Sequence, residues 1–373
     1  MKRIVISAVN LKVGGTLTIL RDCLRHLSGL AATGEYQVIA LVYDRKLADY
    51  PHIEYIELKW PKKNWGNRLW CEYVAMRKIS VRLAPVFLWL SLHDTTPSVR
   101  AQRRAVYCHN SFPFYRWKMK EILFAPRIVL FSLFSRYVYR INIHKNKYVI
   151  VQQQWFRKAF THWFHLPDES VIVAPPVLQR QPSMKKSPNT ASIEMDEDEY
   201  SFLYAATSDS HKNFECICRA SVLLRQRMPG LKFKVYLTVK GDENAYTRWL
   251  YSHWGKVPAL AFVGYLTKEQ LYAYYQRSNC LIFSSKVETW GLPITEFAVF
   301  NKPMLLSDLP YAHETAAGCE QVAFFHPDRP QELAAQMAKL LRGDHSFLAT
   351  LRKEEVLPPV AESWEKLFHM LLK

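Results

Sequence analysis

The chain of 373 residues has little glycine, 12 in all, and nowhere the spacing Gly-x-Gly-x-x-Gly. A strand-to-helix turn that cradles a dinucleotide pyrophosphate needs those three glycines, so a nicotinamide site is poorly supported. Cysteine is scarce too: seven, an odd number, at positions 23, 71, 108, 216, 218, 280 and 319. None of these spacings suits a zinc site, and Cys216 and Cys218, one residue apart, point to different sides of an expected helix. Reduced thiols in a cytoplasmic protein are the expectation, with no metal and no cofactor. There is no internal repeat with a period of about 20–50 residues. No uncharged apolar run is long enough to span a bilayer. The opening Met1-Lys-Arg-Ile-Val-Ile-Ser reads as a first strand rather than a signal peptide.

What is present is apolar residues at 49% of the chain, enough for the cores of two ordinary domains, and a net charge of +17. Residues 1–178 hold 27 Lys and Arg against 11 Asp and Glu, a net +16, which leaves +1 for residues 179–373. The densest block runs from Phe114 to Lys147, where eight basic residues face Glu121 alone. It is rich in apolar and aromatic residues and broken at Pro126-Arg127. Such a segment fits a membrane-surface element, or a core helix with a solvated basic face. No nucleic-acid-binding module accompanies the charge, so no nucleic acid is expected.

Short apolar strands alternate with helical patterns along both halves, predicting α/β architecture with doubly wound parallel sheets. In the first half, strands are read at Lys2–Val9, Gln37–Tyr43, Ile53–Leu58, Val86–Leu92, Arg104–Tyr107, Lys147–Val151 and Val171–Ala174, with a long helical period over Trp65–Ala84. Residues 179–199 differ, with two prolines and the acidic run Glu194–Glu199, and read as a linker or surface excursion. Strands resume at Tyr200–Ala205, Lys232–Thr238, Ala259–Val263, Cys280–Phe283 and Pro303–Leu306.

After Cys280-Leu-Ile-Phe-Ser-Ser285 comes Glu288-Thr-Trp-Gly-Leu-Pro-Ile-Thr-Glu296. Gly291 and Pro293 punctuate a loop-to-helix junction, since proline suits a first helical turn. Glu288 then lies on the loop and Glu296 one turn into the helix, so both carboxylates can face one ligand. The helix N-terminus between them favours a phosphate. Carboxylates for hydroxyls beside an anion site match a nucleotide sugar, although a surface pair of glutamates is the plain alternative.

Glu-x-Trp-Gly-Leu-Pro-x-x-Glu resembles the Glu-x7-Glu signature of retaining glycosyltransferases of family 4, glycosyltransferase group 1, of bacterial surface-polysaccharide type. That resemblance implies a GT-B architecture, two Rossmann-like domains facing an interdomain cleft. It implies an acceptor-side domain over 1–178, a nucleotide-sugar-binding domain over 200–356, and a C-terminal helix, 357–373, packing back on the first. It makes Glu288 the ligand of the donor sugar and Glu296 that of the ribose, with Trp290, Gly291, Leu292 and Pro293 shaping the donor site.

Asp209-Ser-His-Lys212-Asn213, between a strand and a helix, resembles the family's phosphate-binding lysine, with Lys212 stabilising the leaving diphosphate. Many relatives carry arginine where this chain has Thr207, which leaves Lys286 or backbone amides as other possible donors. Gly14-Gly15, where the first strand enters its helix, takes the place of the glycine loop near the donor. His109 matches the first-domain histidine near the donor sugar, and His93 and Asp94 are acceptor-side groups. Lys212, Glu288 and His109 are therefore the expected catalytic residues. The implied reaction is metal-independent, retaining transfer of a hexose from a nucleotide sugar to a saccharide, lipid-linked acceptor in O-antigen or capsule synthesis. It would take place on the cytoplasmic face of the plasma membrane with peripheral contact to anionic lipid. The rival readings are a GT-B-type sugar-nucleotide epimerase and a non-catalytic basic protein that binds membrane or nucleic acid.

Overall fold

The computed structural model describes residues 1–12, 14–176, 195–196 and 198–373. The packing divides the chain into two units: Met1–Pro113 with Leu133–Leu178 and Val356–Lys373, and Phe114–Ser132 with Gln179–Glu355.

Seven strands, β1 (Lys2–Ala8), β2 (Tyr36–Val42), β3 (Ile53–Glu57), β4 (Leu88–Ser91), β5 (Arg103–Cys108), β6 (Tyr148–Val151) and β7 (Val171–Val173), form the first sheet. All are parallel, in the order 3-2-1-4-5-6-7. Period-two alternation covers both faces. Ile4, Ile6 and Ala8 pack with Leu20, Leu24 and Leu27 of α1 (Gly14–Ala32), while Val5 and Val9 pack with Trp89, Cys71 and Met76. The terminal helix Trp364–Leu372, capped by the Ser363 hydroxyl, buries Leu367, Phe368 and Leu371 in the first of these clusters. The expected helix over Trp65–Ala84 is interrupted: α2 (Trp65–Trp70) and α3 (Met76–Arg82) flank a π-turn at Cys71–Ala75. There follow α4 (Met119–Phe124), α5 (Pro126–Arg140) and α6 (Gln154–Phe164).

The second sheet comprises β8 (Tyr200–Tyr204), β9 (Phe233–Leu237), β10 (Leu260–Phe262), β11 (Cys280–Phe283), β12 (Met304–Ser307) and β13 (Val322–Phe325). It too is all parallel, in the order 10-9-8-11-12-13. Its helices are α7 (Phe214–Arg227), α8 (Ala245–Trp254), α9 (Lys268–Arg277), α10 (Leu292–Ala298), α11 (Pro310–Thr315) and α12 (Pro330–Leu341). Asn244 and Thr267 cap α8 and α9 by accepting from the amides of Thr247 and Gln270. The two units are thus both Rossmann-like and doubly wound.

The boundaries differ from the expected ones at Phe114–Ser132, which belongs with the second unit rather than with a first domain of 1–178. The cause is charge and ring packing. Glu121 meets Lys286 at 2.7 Å, Lys118 meets Asp328 at 2.7 Å, Lys120 pairs with Glu215, and Phe124 packs on Tyr246 and Trp249. Most of the expected linker, 179–199, lies outside the described residues.

Candidate functional site

Beyond β11 the chain runs through Ser284–Thr289 to Trp290 and then Gly291, whose φ of +91° favours glycine. A Cβ there would also stand 3.2 Å from Ile294 Cδ1. Pro293 lies in the first turn of α10, and Ile294 and Phe297 are its buried anchors. Tyr311 donates to the Ser285 carbonyl at 2.7 Å, Thr315 to the Trp290 carbonyl, and the Trp290 indole to Thr295 Oγ1 at 3.3 Å. The loop that carries Glu288 is therefore held at both ends. Leu292 is exposed at the head of the helix.

After β8 a single turn, Ser210–Lys212, leads to Asn213 in the left-handed region at φ 59°. Its side-chain amide donates to the carbonyls of Ser284 at 3.2 Å and Pro327 at 2.8 Å. The Lys212 carbonyl accepts from the hydroxyls of Tyr204 at 2.6 Å and Ser284 at 3.1 Å. These bonds lace the end of β8 to the end of β11. Lys212 Nζ consequently meets Glu288 Oε1 at 2.5 Å, with both side chains 15% exposed. His211 is buried, and burial first, then the Lys212 charge, holds its imidazole well below the usual range. Glu296 Oε2 accepts from the Tyr275 hydroxyl at 3.0 Å. Because α10 has only seven residues, its dipole is small, and Lys212 is the accessible cation at these strand ends.

Lys286 is not a second such cation. Its side chain is 6% exposed and held by Glu121, itself 3% exposed. Thr207 donates to Asp209 Oδ2 at 2.8 Å, a bond within the turn. Sequence reasoning missed Tyr275 and Glu121 as partners of this site. The isolation of Glu121 among eight basic residues was the one available signal.

In the first unit, Asp94 sits just past β4 at φ 70°. Its Oδ1 accepts from the His109 amide at 2.7 Å, and Oδ2 lies 3.6 Å from His109 Nε2. His93 is 1% exposed, with Nδ1 3.1 Å from Thr95 Oγ1 and 3.3 Å from Glu72 Oε1. Burial, then the Arg68 charge, keeps it neutral. Glu72, aimed inward by the π-turn, also takes hydrogen bonds from Arg68 and Thr95. His93 thus supports the Asp94 turn from inside, whereas Asp94 and His109 form a pair. Gly14 and Gly15 begin α1 as exposed residues. Among the described residues no group of three or more His, Cys, Asp or Glu is arranged for a metal ion.

Two strand ends, one carboxylate–lysine pair and a Gly-Leu-Pro turn into a helix are the geometry on which the comparison with known proteins bears. Residues 186–354 match the family of glycosyl transferases group 1. No curated protein matches the chain. Sucrose-phosphate synthase from Thermosynechococcus elongatus superimposes with a TM-score of 0.67 at 16% identity, covering 100% of this chain and 95% of that one. WaaG, a glycosyltransferase involved in lipopolysaccharide biosynthesis, gives 0.60 at 14% identity, with 93% of each chain covered. Anabaena Alr3699/HepE, solved with UDP-glucose, gives 0.59 at 13% identity over 93% of this chain and 92% of that one. The fold is shared with these proteins and is the GT-B fold.

Proposed function

We propose that this chain is a glycosyltransferase moving a sugar from a nucleotide-sugar donor to a saccharide acceptor. The observation that carries the reading is the Lys212–Glu288 pair at the mouth of β8 and β11, with Glu296 one turn into the helix that follows. The family match over the second unit supports it, as does the UDP-glucose bound by a protein of the same fold. On donor binding, the Lys212 ammonium exchanges Glu288 for diphosphate oxygens. The freed Glu288 carboxylate then accepts from sugar hydroxyls, and Glu296, held by Tyr275, accepts from the ribose. As the bond from the anomeric carbon to the diphosphate breaks, negative charge gathers beside Lys212, a stabilisation of about 3 kcal/mol for a well-placed donor. The acceptor oxygen bonds to the same face of that carbon while its proton passes to the departing diphosphate oxygen, giving retention. In the first unit His109, its amide fixed by Asp94, is the candidate catalytic residue. Charge compensation by Lys212 leaves no step that needs a metal.

The finer reading places the acceptor on a lipid carrier, in surface-polysaccharide assembly at the cytoplasmic membrane face. Leu130, Phe134 and Tyr137 lie at i, i+4 and i+7 of α5 and are 59%, 55% and 68% exposed, beside exposed Arg127 and Arg136. An apolar stripe flanked by arginines suits an anionic surface, where each well-placed basic residue adds about 1 kcal/mol. No helix among the described residues is long and apolar enough to cross a membrane.

The test is a thermal-shift panel of nucleotides and nucleotide sugars on the native protein and Glu296→Ala. One nucleotide diphosphate class should stabilise the native chain, by about 2.7 kcal/mol at a hundred times its Kd, and the variant should lose that response. A panel with no response at millimolar concentration overturns the donor site. With the donor class known, NMR of the product reads retention directly, and an epimerised nucleotide sugar formed without acceptor would replace transfer by epimerisation.

A further inference from the structure

The first sheet reverses its winding between β1 and β4, and the carboxyl ends of strands at such a switch point border a ligand crevice. The segments leaving β1, β2 and β3 bring Asn10 and Lys12, Tyr43, and Lys62 to that edge. Lys12 Nζ stands 3.2 Å from the centre of the Tyr43 ring. Lys62 Nζ donates to the Asn10 carbonyl at 3.3 Å. Lys62 is held below its usual range by partial burial first, and then by the like charges of Lys12 and Arg68, which therefore stand close to it. Arg68 is committed to Glu72 and to the His93 carbonyl. Among the described residues neither Lys12 nor Lys62 pairs with a carboxylate, although the neighbouring Lys59 pairs with Asp44 at 3.2 Å. Asn10 Oδ1 is buried with no hydrogen-bond partner.

Crowded cations without counter-charge raise the energy of the empty site, and a bound anion relieves it. Two ammonium groups match a phosphomonoester, which carries about −1.5 to −2 charges at neutral pH. The orphaned Asn10 oxygen requires a donor, which a sugar hydroxyl next to the phosphate supplies. We propose that Asn10, Lys12 and Lys62 form a subsite for a phosphoryl group carried by the sugar acceptor. The word acceptor rests on the transferase reading above, whereas the phosphoryl chemistry stands on these residues alone.

The experiment titrates the full chain, by thermal shift at constant ionic strength, with glucose 6-phosphate, glucose and UDP. Three proteins are compared: native, the double variant Lys12→Gln/Lys62→Gln, and Lys59→Gln. Co-sedimentation with phosphatidic acid and phosphatidylcholine vesicles runs in parallel. The native chain should bind glucose 6-phosphate in preference to glucose, and the double variant should bind it at least about tenfold more weakly. Lys59→Gln and the UDP response of the double variant should be unchanged. If the lysine-dependent binding appears only with phosphatidic acid vesicles, the phosphoryl group is lipid-borne and the subsite stands. Equal binding of all phosphate probes by native and double variant overturns it, as does a native chain that does not distinguish glucose 6-phosphate from glucose and shows no lysine-dependent vesicle binding. Loss of the UDP response in the native chain, with lysine-dependent phosphate binding intact, would sink the transferase reading and leave the anion site standing.

Discussion

Two lysines beside the end of β11 make the same kind of bond and do different work. Lys212 meets Glu288 at 2.5 Å with 15% of each side chain exposed, whereas Lys286 meets Glu121 at 2.7 Å with 6% and 3% exposed. Water reaches the first pair, so under the proposed function its lysine can trade the carboxylate for a phosphate oxygen. The second is sealed: its carboxylate comes from α4, 165 residues earlier in the chain, and it fastens that segment to the second sheet. A buried ion pair contributes little net stability over an apolar replacement, but removing one member leaves an uncompensated charge. Burial, not charge type, separates the lysine proposed to bind the donor from the one that fastens α4.

The largest expected effect breaks this comparison directly. Glu121→Ala leaves buried Lys286 only the longer contact to Asp328 at 3.8 Å and should cost up to about 3–5 kcal/mol of stability. Glu288→Ala leaves Lys212 able to reach water and should cost about 1 kcal/mol or less. Activity should fall the other way, with Glu288→Ala losing most of its turnover while a folded Glu121→Gln keeps it. Urea midpoints and initial rates on the same preparations read both. Equal destabilisation by the two alanine variants would mean that the pairs do not differ in kind.

The comparison also marks where the sequence was legible. Gly291, Pro293 and the preceding apolar run are local signals, and they placed Glu288 on a loop and Glu296 in a helix, as the structure does. The parallel strands were readable because β-branched runs ended in turn residues. The strand β13 was missed: Val322–Phe325 is four residues long and lacks alternation. Within Trp65–Ala84, a period of 3.6 carries no mark of the π-turn that turns Glu72 into the core, where it is fully buried. Glu121 and Tyr275 escaped for another reason. Their importance lies in partners 165 and 21 residues away, and no local pattern encodes such pairings.

His211 sharpens the comparison, because it adjoins Lys212 and its carbonyl accepts from the Lys286 amide at 2.9 Å. Its imidazole is held well below the ordinary 6.5 by burial and then by Lys212. As pH falls through that value the unfolded chain takes up a proton that the folded chain refuses. The stability from neutral His211 is therefore present above pH 6.5 and lost on acidification towards the folded pKa, at about 1.4 kcal/mol per pH unit. His93 in the first unit behaves in the same way, for burial and the Arg68 charge. Urea unfolding at stepped pH should show an acid limb steeper than one histidine gives, and His211→Gln should remove only its own share. A flat profile from pH 7 down to about 5 would contradict the burial of both rings.

The smallest effect concerns Glu296, a carboxylate held by a neutral partner instead of a lysine. The Tyr275 ring is fully buried, and its hydroxyl donates to Glu296 Oε2 at 3.0 Å. Tyr275→Phe keeps the ring packing and deletes one hydrogen bond, worth about 1 kcal/mol. Since the bond orients a carboxylate that is itself only partly buried, the loss should appear in donor affinity more than in folding. A nucleotide titration should show binding weakened about fivefold, while the urea midpoint moves by less than the equivalent of about 1 kcal/mol. Binding unchanged with stability lowered would make Tyr275 a packing residue, and would leave Glu296 to orient itself through contacts of its own helix.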